Sequence, residues 1–129
     1  MSAGDDPAAA SLAALAAAED FASEAGLDAP GAARLAVVVD ELVSNAVRHG
    51  VDDGSIAIEL AMAVCGGEVS IVLEDDGVAF DPTQERGFRG PDPETGGGVG
   101  LALVKAWAKG FAYSRENGRN RIELRLRLA

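Results

Sequence analysis

Apolar residues along this chain recur with two different periods, and the switches between them lay out the elements. Leu35, Val38, Leu42 and Ala46 fall at helical spacing, with Val39 and Val43 widening the stripe, which predicts an amphipathic helix with one face in a core. Asp28-Ala29-Pro30 is its start, an N-cap candidate with proline in the first turn, and Gly50 is expected to stop it in a left-handed conformation. Ahead of it, Ala8–Ala25 is an alanine-rich helix that carries Leu12, Leu15, Glu19 and Phe21 and ends at Gly26. The period then becomes two. In Ser55–Val64, Ile56, Ile58, Leu60, Met62 and Val64 alternate with Ala57, Glu59, Ala61 and Ala63, the pattern of a half-buried strand. Gly66-Gly67 turns the chain, and Val69, Ile71 and Leu73 mark one face of a returning strand over Glu68–Glu74. Helical spacing returns in Gly98–Lys109 through Leu101, Val104 and Trp107 or Ala108. A last pair follows: Phe111–Glu116, the hairpin dipeptide Asn117-Gly118, and Arg119–Leu128, with Ile122, Leu124, Leu126 and Leu128 alternating against Arg121, Glu123, Arg125 and Arg127.

Helix, helix, strand pair, helix, strand pair is the order of a two-layer α/β (α+β) sandwich, a mostly antiparallel sheet with helices on one face. The 129 residues suffice for one such domain. Residues 1–10 are expected to be a disordered or frayed N-terminus, with no strand pattern ahead of the first helix, and 11–129 the domain. Within it, residues 82–98 form a connection rich in proline and glycine whose only large apolar residue is Phe88; a loop that long in a compact domain is expected to act as a lid or be disordered.

Composition narrows the function classes. A formal net charge of −10 argues against nucleic acid as a partner, while leaving room for a nucleotide bound through backbone N–H groups and a metal. The single cysteine, Cys65, excludes an internal disulfide and a cysteine-based zinc site, and its place at the end of an apolar alternation predicts a buried thiol. Asp5 and Asp6 stand where a signal peptide would carry positive charge, and no apolar run reaches membrane-spanning length, so a soluble cytoplasmic protein without a membrane partner is expected.

Three segments carry candidate chemistry. Glu41 and Asn45 are one helical turn apart, so a carboxylate and an amide oxygen point at one spot. That pair suits a divalent cation and an activated nucleophile, and it is equally the composition of a solvated polar helix face. Next comes Asp75-Asp76-Gly77-Val78-Ala79-Phe80-Asp81-Pro82, then Gly96-Gly97-Gly98-Val99-Gly100-Leu101-Ala102-Leu103-Val104 opening a helix, where N–H groups and the helix dipole can meet phosphate or where the glycines form only a flexible joint. There is no Gly-Lys-Ser/Thr of a P-loop, and the glycines do not fit a dinucleotide fingerprint after a strand.

Together these segments resemble the N box and the two glycine boxes of the GHKL superfamily of histidine kinase-like ATPase domains, the Bergerat ATP-binding fold. The match is closest to the bacterial anti-sigma-factor serine/threonine protein kinases, and covers roughly residues 12 to 128. The resemblance implies ATP and Mg²⁺ as ligands. It implies Asn45 as the metal ligand and Glu41 as the general base toward an attacking hydroxyl. It implies Asp75 as the acceptor for the adenine amino group, with Asp76 the alternative. Gly77 and Ala79 would line the base, Ala79 standing where many relatives have a second glycine; Gly98, Val99, Gly100 and Leu101 would meet the phosphates. The lone His49 lies inside the N box and reads as a local packing residue, not a phosphoacceptor. The row Arg121, Arg125, Arg127 reads as a solvated sheet face or a partner-docking face.

The family further implies a partner-switching pathway in transcription regulation. Such a kinase sequesters a sigma factor and phosphorylates a STAS-domain anti-anti-sigma protein, commonly as a homodimer. The alternative is a nucleotide-binding interaction module without phosphotransfer. A fragment of a two-component histidine kinase is a poorer fit, because no dimerisation helix with an acceptor histidine is present.

Overall fold

The computed structural model describes residues 2–3, 7–50, 56–84 and 99–127. A five-stranded antiparallel sheet, in the order β1-β2-β3-β5-β4, carries three helices. The elements are β1 (Ser2–Ala3), α1 (Pro7–Ala25), α2 (Ala29–Gly50), β2 (Ile58–Cys65), β3 (Glu68–Asp75), α3 (Val99–Trp107), β4 (Ala108–Glu116) and β5 (Arg119–Arg127), with a short 3₁₀ turn at Pro82–Gln84. This is the α+β sandwich expected from the alternation of periods.

The two long helices are joined by local chemistry. Gly26, at φ +69°, closes α1: its N–H reaches the Ser23 carbonyl at 3.2 Å, and the Leu27 N–H reaches the Ala22 carbonyl at 3.0 Å, the paired bonds of a Schellman cap. Asp28 then caps α2, its Oδ1 accepting from the Gly31 N–H at 2.8 Å. α1 packs on α2 through alanines four residues apart. Ala10, Ala14, Ala18 and Ala22 are buried, while Leu12 is 70% exposed, so the small side chains, not the leucine, make the seam. α2 contributes Leu35, Val38, Val39, Leu42 and Val43 to the core. It runs through Gly50, which therefore lies within the helix and not beyond its end as expected.

Both hairpins turn on two residues with positive φ, Gly66-Gly67 (56° and 82°) and Asn117-Gly118 (53° and 74°). Backbone of that hand matches the twist of the flanking strands. On the inner face, Ile58 and Leu60 of β2, Val69, Ile71 and Leu73 of β3, and Ile122, Leu124 and Leu126 of β5 are buried against the helices. The inner stripe of β2 fades toward its turn, where Val64 is 51% exposed. Cys65 is exposed, not buried: it continues the phase of Glu59, Ala61 and Ala63, which point to the outer face.

Three boundaries differ from the sequence reading. Ser2–Ala3 forms a short strand on Ile58 and Glu59, so the edge expected to lack a first strand has one, and α1 begins at Pro7, inside the stretch expected to fray. Two residues give no alternation to read, which is why the pattern was silent there. α3 ends at Trp107 and β4 begins at once at Ala108, where a helix to Lys109 was expected. Gly110 (φ +66°) makes this possible by placing a bulge between Lys109 and Ala112, which resets the strand's phase against β5. Of the 82–98 connection, only Pro82–Gln84 is described; the remainder, including Gly98, lies outside the described residues, as does Leu128.

Candidate functional site

The inner stripes of β3 and β5 each end in a polar residue. Asp75 follows Val69, Ile71 and Leu73 at the same period of two, and Asn120 precedes Ile122, Leu124 and Leu126 in the same way. The two are register partners across the sheet, and both are buried, Asp75 at 4% and Asn120 at 3% exposure. A third buried polar residue, Asn45, reaches the same place from the last turns of α2. Asn45, Asp75 and Asn120 line a small cavity with the apolar side chains of Leu42, Leu73 and Ile122. Val78 and Phe80, from the segment after β3, lie across it. A small cavity walled by apolar side chains with three buried polar residues has the lining of a small-molecule site.

Asp75 is held by a network that also fixes its electrostatics. Its Oδ1 accepts from the Gly77 N–H at 2.9 Å and from Asn120 Nδ2 at 2.9 Å. Burial pushes the Asp75 carboxyl up from its ordinary range, while the bonds from Asn120 and Gly77 pull it back; the desolvation is the larger effect. Asp76, the alternative base acceptor, faces outward. Its Oδ1 accepts from the Ala57 N–H at 2.8 Å, pinning the entry to β2.

On α2, Asn45 Nδ2 donates to the Glu41 carbonyl at 2.7 Å, which turns Oδ1 outward, where it accepts from Arg48 Nη2 at 2.8 Å. The amide oxygen thus already faces a cation. Glu41 is partly exposed, and burial together with the neighbouring Asp40 raises its carboxyl above the ordinary value, Arg48 opposing the shift. Among the described residues no three His, Cys, Asp or Glu side chains cluster to hold a metal. Asn45 Oδ1 is an amide oxygen, a donor type that a hard cation such as Mg²⁺ accepts alongside phosphate oxygens and water. His49 stacks on Phe80, ring centroids 3.9 Å apart and planes 13° from parallel, tying the end of α2 to the loop after β3.

Of the residues expected at the phosphates, Val99 and Gly100 form the first turn of α3, and Leu101 is buried against the core. Ala79 is exposed. Three residues of the site are given no role by the motifs: Asn120, which lies in the chain's ending Asn117–Ile122 that also resembles the family, and Tyr113 and Arg115. Tyr113 Oη donates to Asn120 Oδ1 at 2.6 Å, and Arg115 Nη1 donates to the same oxygen at 2.9 Å and to the Gly77 carbonyl at 3.0 Å. Asn120 was legible by its phase with Ile122, but it lies outside every glycine box.

The histidine kinase-like ATPase domain family matches residues 5–126. The chain belongs to that family. It is 34% identical over 94 residues to the serine/threonine-protein kinase BtrW of Bordetella bronchiseptica, a match spanning 70% of this chain and 66% of that protein. In fold it is similar to the crystal structure of the RsbU and RsbW domains of a Mycobacterium tuberculosis protein, with TM-score 0.60, 21% identity, and coverage of 99% of this chain and 32% of the other. The chain thus spans just under two thirds of the curated relative and about a third of the solved one. No helix among the described residues is long and apolar enough to cross a membrane.

Proposed function

We propose that this domain binds Mg-ATP in the Asp75–Asn120–Asn45 cavity and transfers the γ-phosphoryl group to a protein serine or threonine, as an anti-sigma-factor kinase acting on a STAS-domain antagonist. The observation that carries the reading is the state of Asp75. Two donors occupy Oδ1, and a carboxylate accepts and does not donate, so its remaining oxygen suits an exocyclic amino group in an apolar slot. Adenine offers such a group; guanine offers a carbonyl at the same edge.

Glu41 would take the proton of the attacking hydroxyl as the oxygen bonds to the γ-phosphorus and the bond to the β-phosphate oxygen breaks, leaving ADP. Its raised pKa makes it a stronger base than a solvated glutamate. Asn45 Oδ1 would hold Mg²⁺, which supplies charge neutralisation across the phosphates. The first turn of α3, at Val99 and Gly100, would turn its N–H groups to the same phosphates. The kinase name of BtrW and the RsbW domain of the solved neighbour support this direction.

The test is transfer of labelled phosphate from Mg-ATP to a STAS-domain protein encoded nearby. Glu41→Gln is expected to lose transfer by about 10²–10⁴-fold with ATP affinity retained. A second reading, a nucleotide-gated binding module without transfer, is favoured by one observation: Arg48 occupies the Asn45 oxygen that the metal would need. ATP binding with no transfer to any STAS-domain protein would establish that second reading.

A further inference from the structure

We propose that Asn120 is the positioning residue that sets base selectivity at this site, and that Tyr113 and Arg115 lock it in the working orientation. The proposal rests on the adenine reading of the cavity. An asparagine amide has two nearly superimposable orientations, one presenting a donor and the other an acceptor. Here only one can be satisfied. Arg115 has donors alone, and its Nη1 lies 2.9 Å from one end of the amide. The other end faces Asp75 Oδ1 at 2.9 Å and the Val78 carbonyl at 2.9 Å, both acceptors. Tyr113 Oη completes the oxygen side at 2.6 Å. A flipped amide would set oxygen against two oxygens and NH₂ against a guanidinium, in a position that is 3% exposed.

The locked donor has two effects on Asp75. It favours the ionised form against the burial that opposes it, and it claims Oδ1. The carboxylate is thereby kept as an acceptor with one oxygen left for the ligand. Arg115 and Tyr113 sit on β4 and are not among the side chains lining the cavity, so they act through Asn120 and, for Arg115, also through the Gly77 carbonyl and the charge it sets near Asp75.

The experiment compares equilibrium affinities of the whole chain for Mg-ATP and for the Mg-triphosphate of purine riboside, which has hydrogen where adenine has its amino group. It uses wild type, Arg115→Met, and Tyr113→Phe combined with Arg115→Met. Arg115 is exposed, so its single substitution tests the idea even where the double variant folds poorly. The expected result is about a tenfold loss for ATP, the scale of one hydrogen bond to a charged group, with the analogue changed less than about twofold. Equal losses for both ligands would mean general loosening of the site and would overturn the proposal, as would no loss for either. Wild-type protein that binds both ligands equally would overturn the amino-group contact on which the proposal depends. Wild-type protein that binds neither would overturn the nucleotide reading itself.

Discussion

At the scale of single residues, the site is a set of polar groups that the fold stabilises only in part. Asp75 sits inside an apolar wall, and burial raises its carboxyl above the ordinary value. The folded state therefore holds a proton more tightly than the unfolded chain does. Where that is so, stability falls as pH rises, from the ordinary aspartate value of 3.8 through the raised folded value, and the cost is fully present above it. Asp75→Asn removes this slope, since an amide oxygen can still accept from Asn120 and Gly77. The variant is expected to unfold at the same or higher urea concentration than wild type at pH 7, and to lose that advantage as pH falls toward 4; a variant clearly less stable at pH 7 would contradict a buried charge that costs stability. Asp75 was legible in the sequence because it extends a strict period-two stripe and opens a glycine box. Asn120 has the same phase, but its role depends on sheet order: only the pairing of β3 with β5 puts it opposite Asp75, and no local pattern encodes that pairing.

At the scale of elements, hydrophobic periodicity found every helix and strand of useful length and missed what periodicity does not carry. The α1 seam is the clearest case. Its leucine at position 12 is exposed, and its buried row is alanine, so the packed face of α1 presents methyl groups to its neighbours. Ala18→Leu is expected to destabilise by about 1–3 kcal/mol through overpacking, whereas Leu12→Ala should stay within about 0.5 kcal/mol of wild type in denaturant titrations. The reverse ranking would mean that α1 docks through its leucines. The abrupt passage from α3 to β4 was illegible for a related reason: Ala108 and Lys109 suit a helix, and only the bulge at Gly110 assigns them to a strand. Cys65 was misjudged by its apolar neighbours when its phase already placed it outside.

At the scale of the whole molecule, the helices and the inner sheet face enclose the candidate site, and the outer sheet face is turned to solvent. The outer sheet face is an ionic ladder: Arg121 lies 2.6 Å from Glu74, Arg119 is 3.4 Å from Glu74 and 3.7 Å from Glu59, and Lys109 is 3.0 Å from Glu68. Such exposed pairs contribute little stability each, so the fold depends on the inner face that also carries Asp75 and Asn120. A ligand that binds only the folded state should therefore raise the melting temperature. Mg-ATP at about a hundred times its dissociation constant is expected to add about 2.7 kcal/mol, a shift of roughly 10 °C for a domain this size. Asn45→Ala should leave the response to ATP alone intact and remove the extra response to Mg²⁺. A shift in that variant still dependent on Mg²⁺ would place the metal elsewhere.

The most direct measurement is a calorimetric titration of the wild-type chain and of Asp75→Asn with Mg-ATP and Mg-GTP. An adenine site built on Asp75 requires that wild type bind ATP and reject GTP, and that the variant lose most of its ATP affinity while remaining folded. Comparable binding of both nucleotides to wild type, or undiminished ATP binding by the variant, would show that the cavity between α2, β3 and β5 is not where this domain reads its ligand.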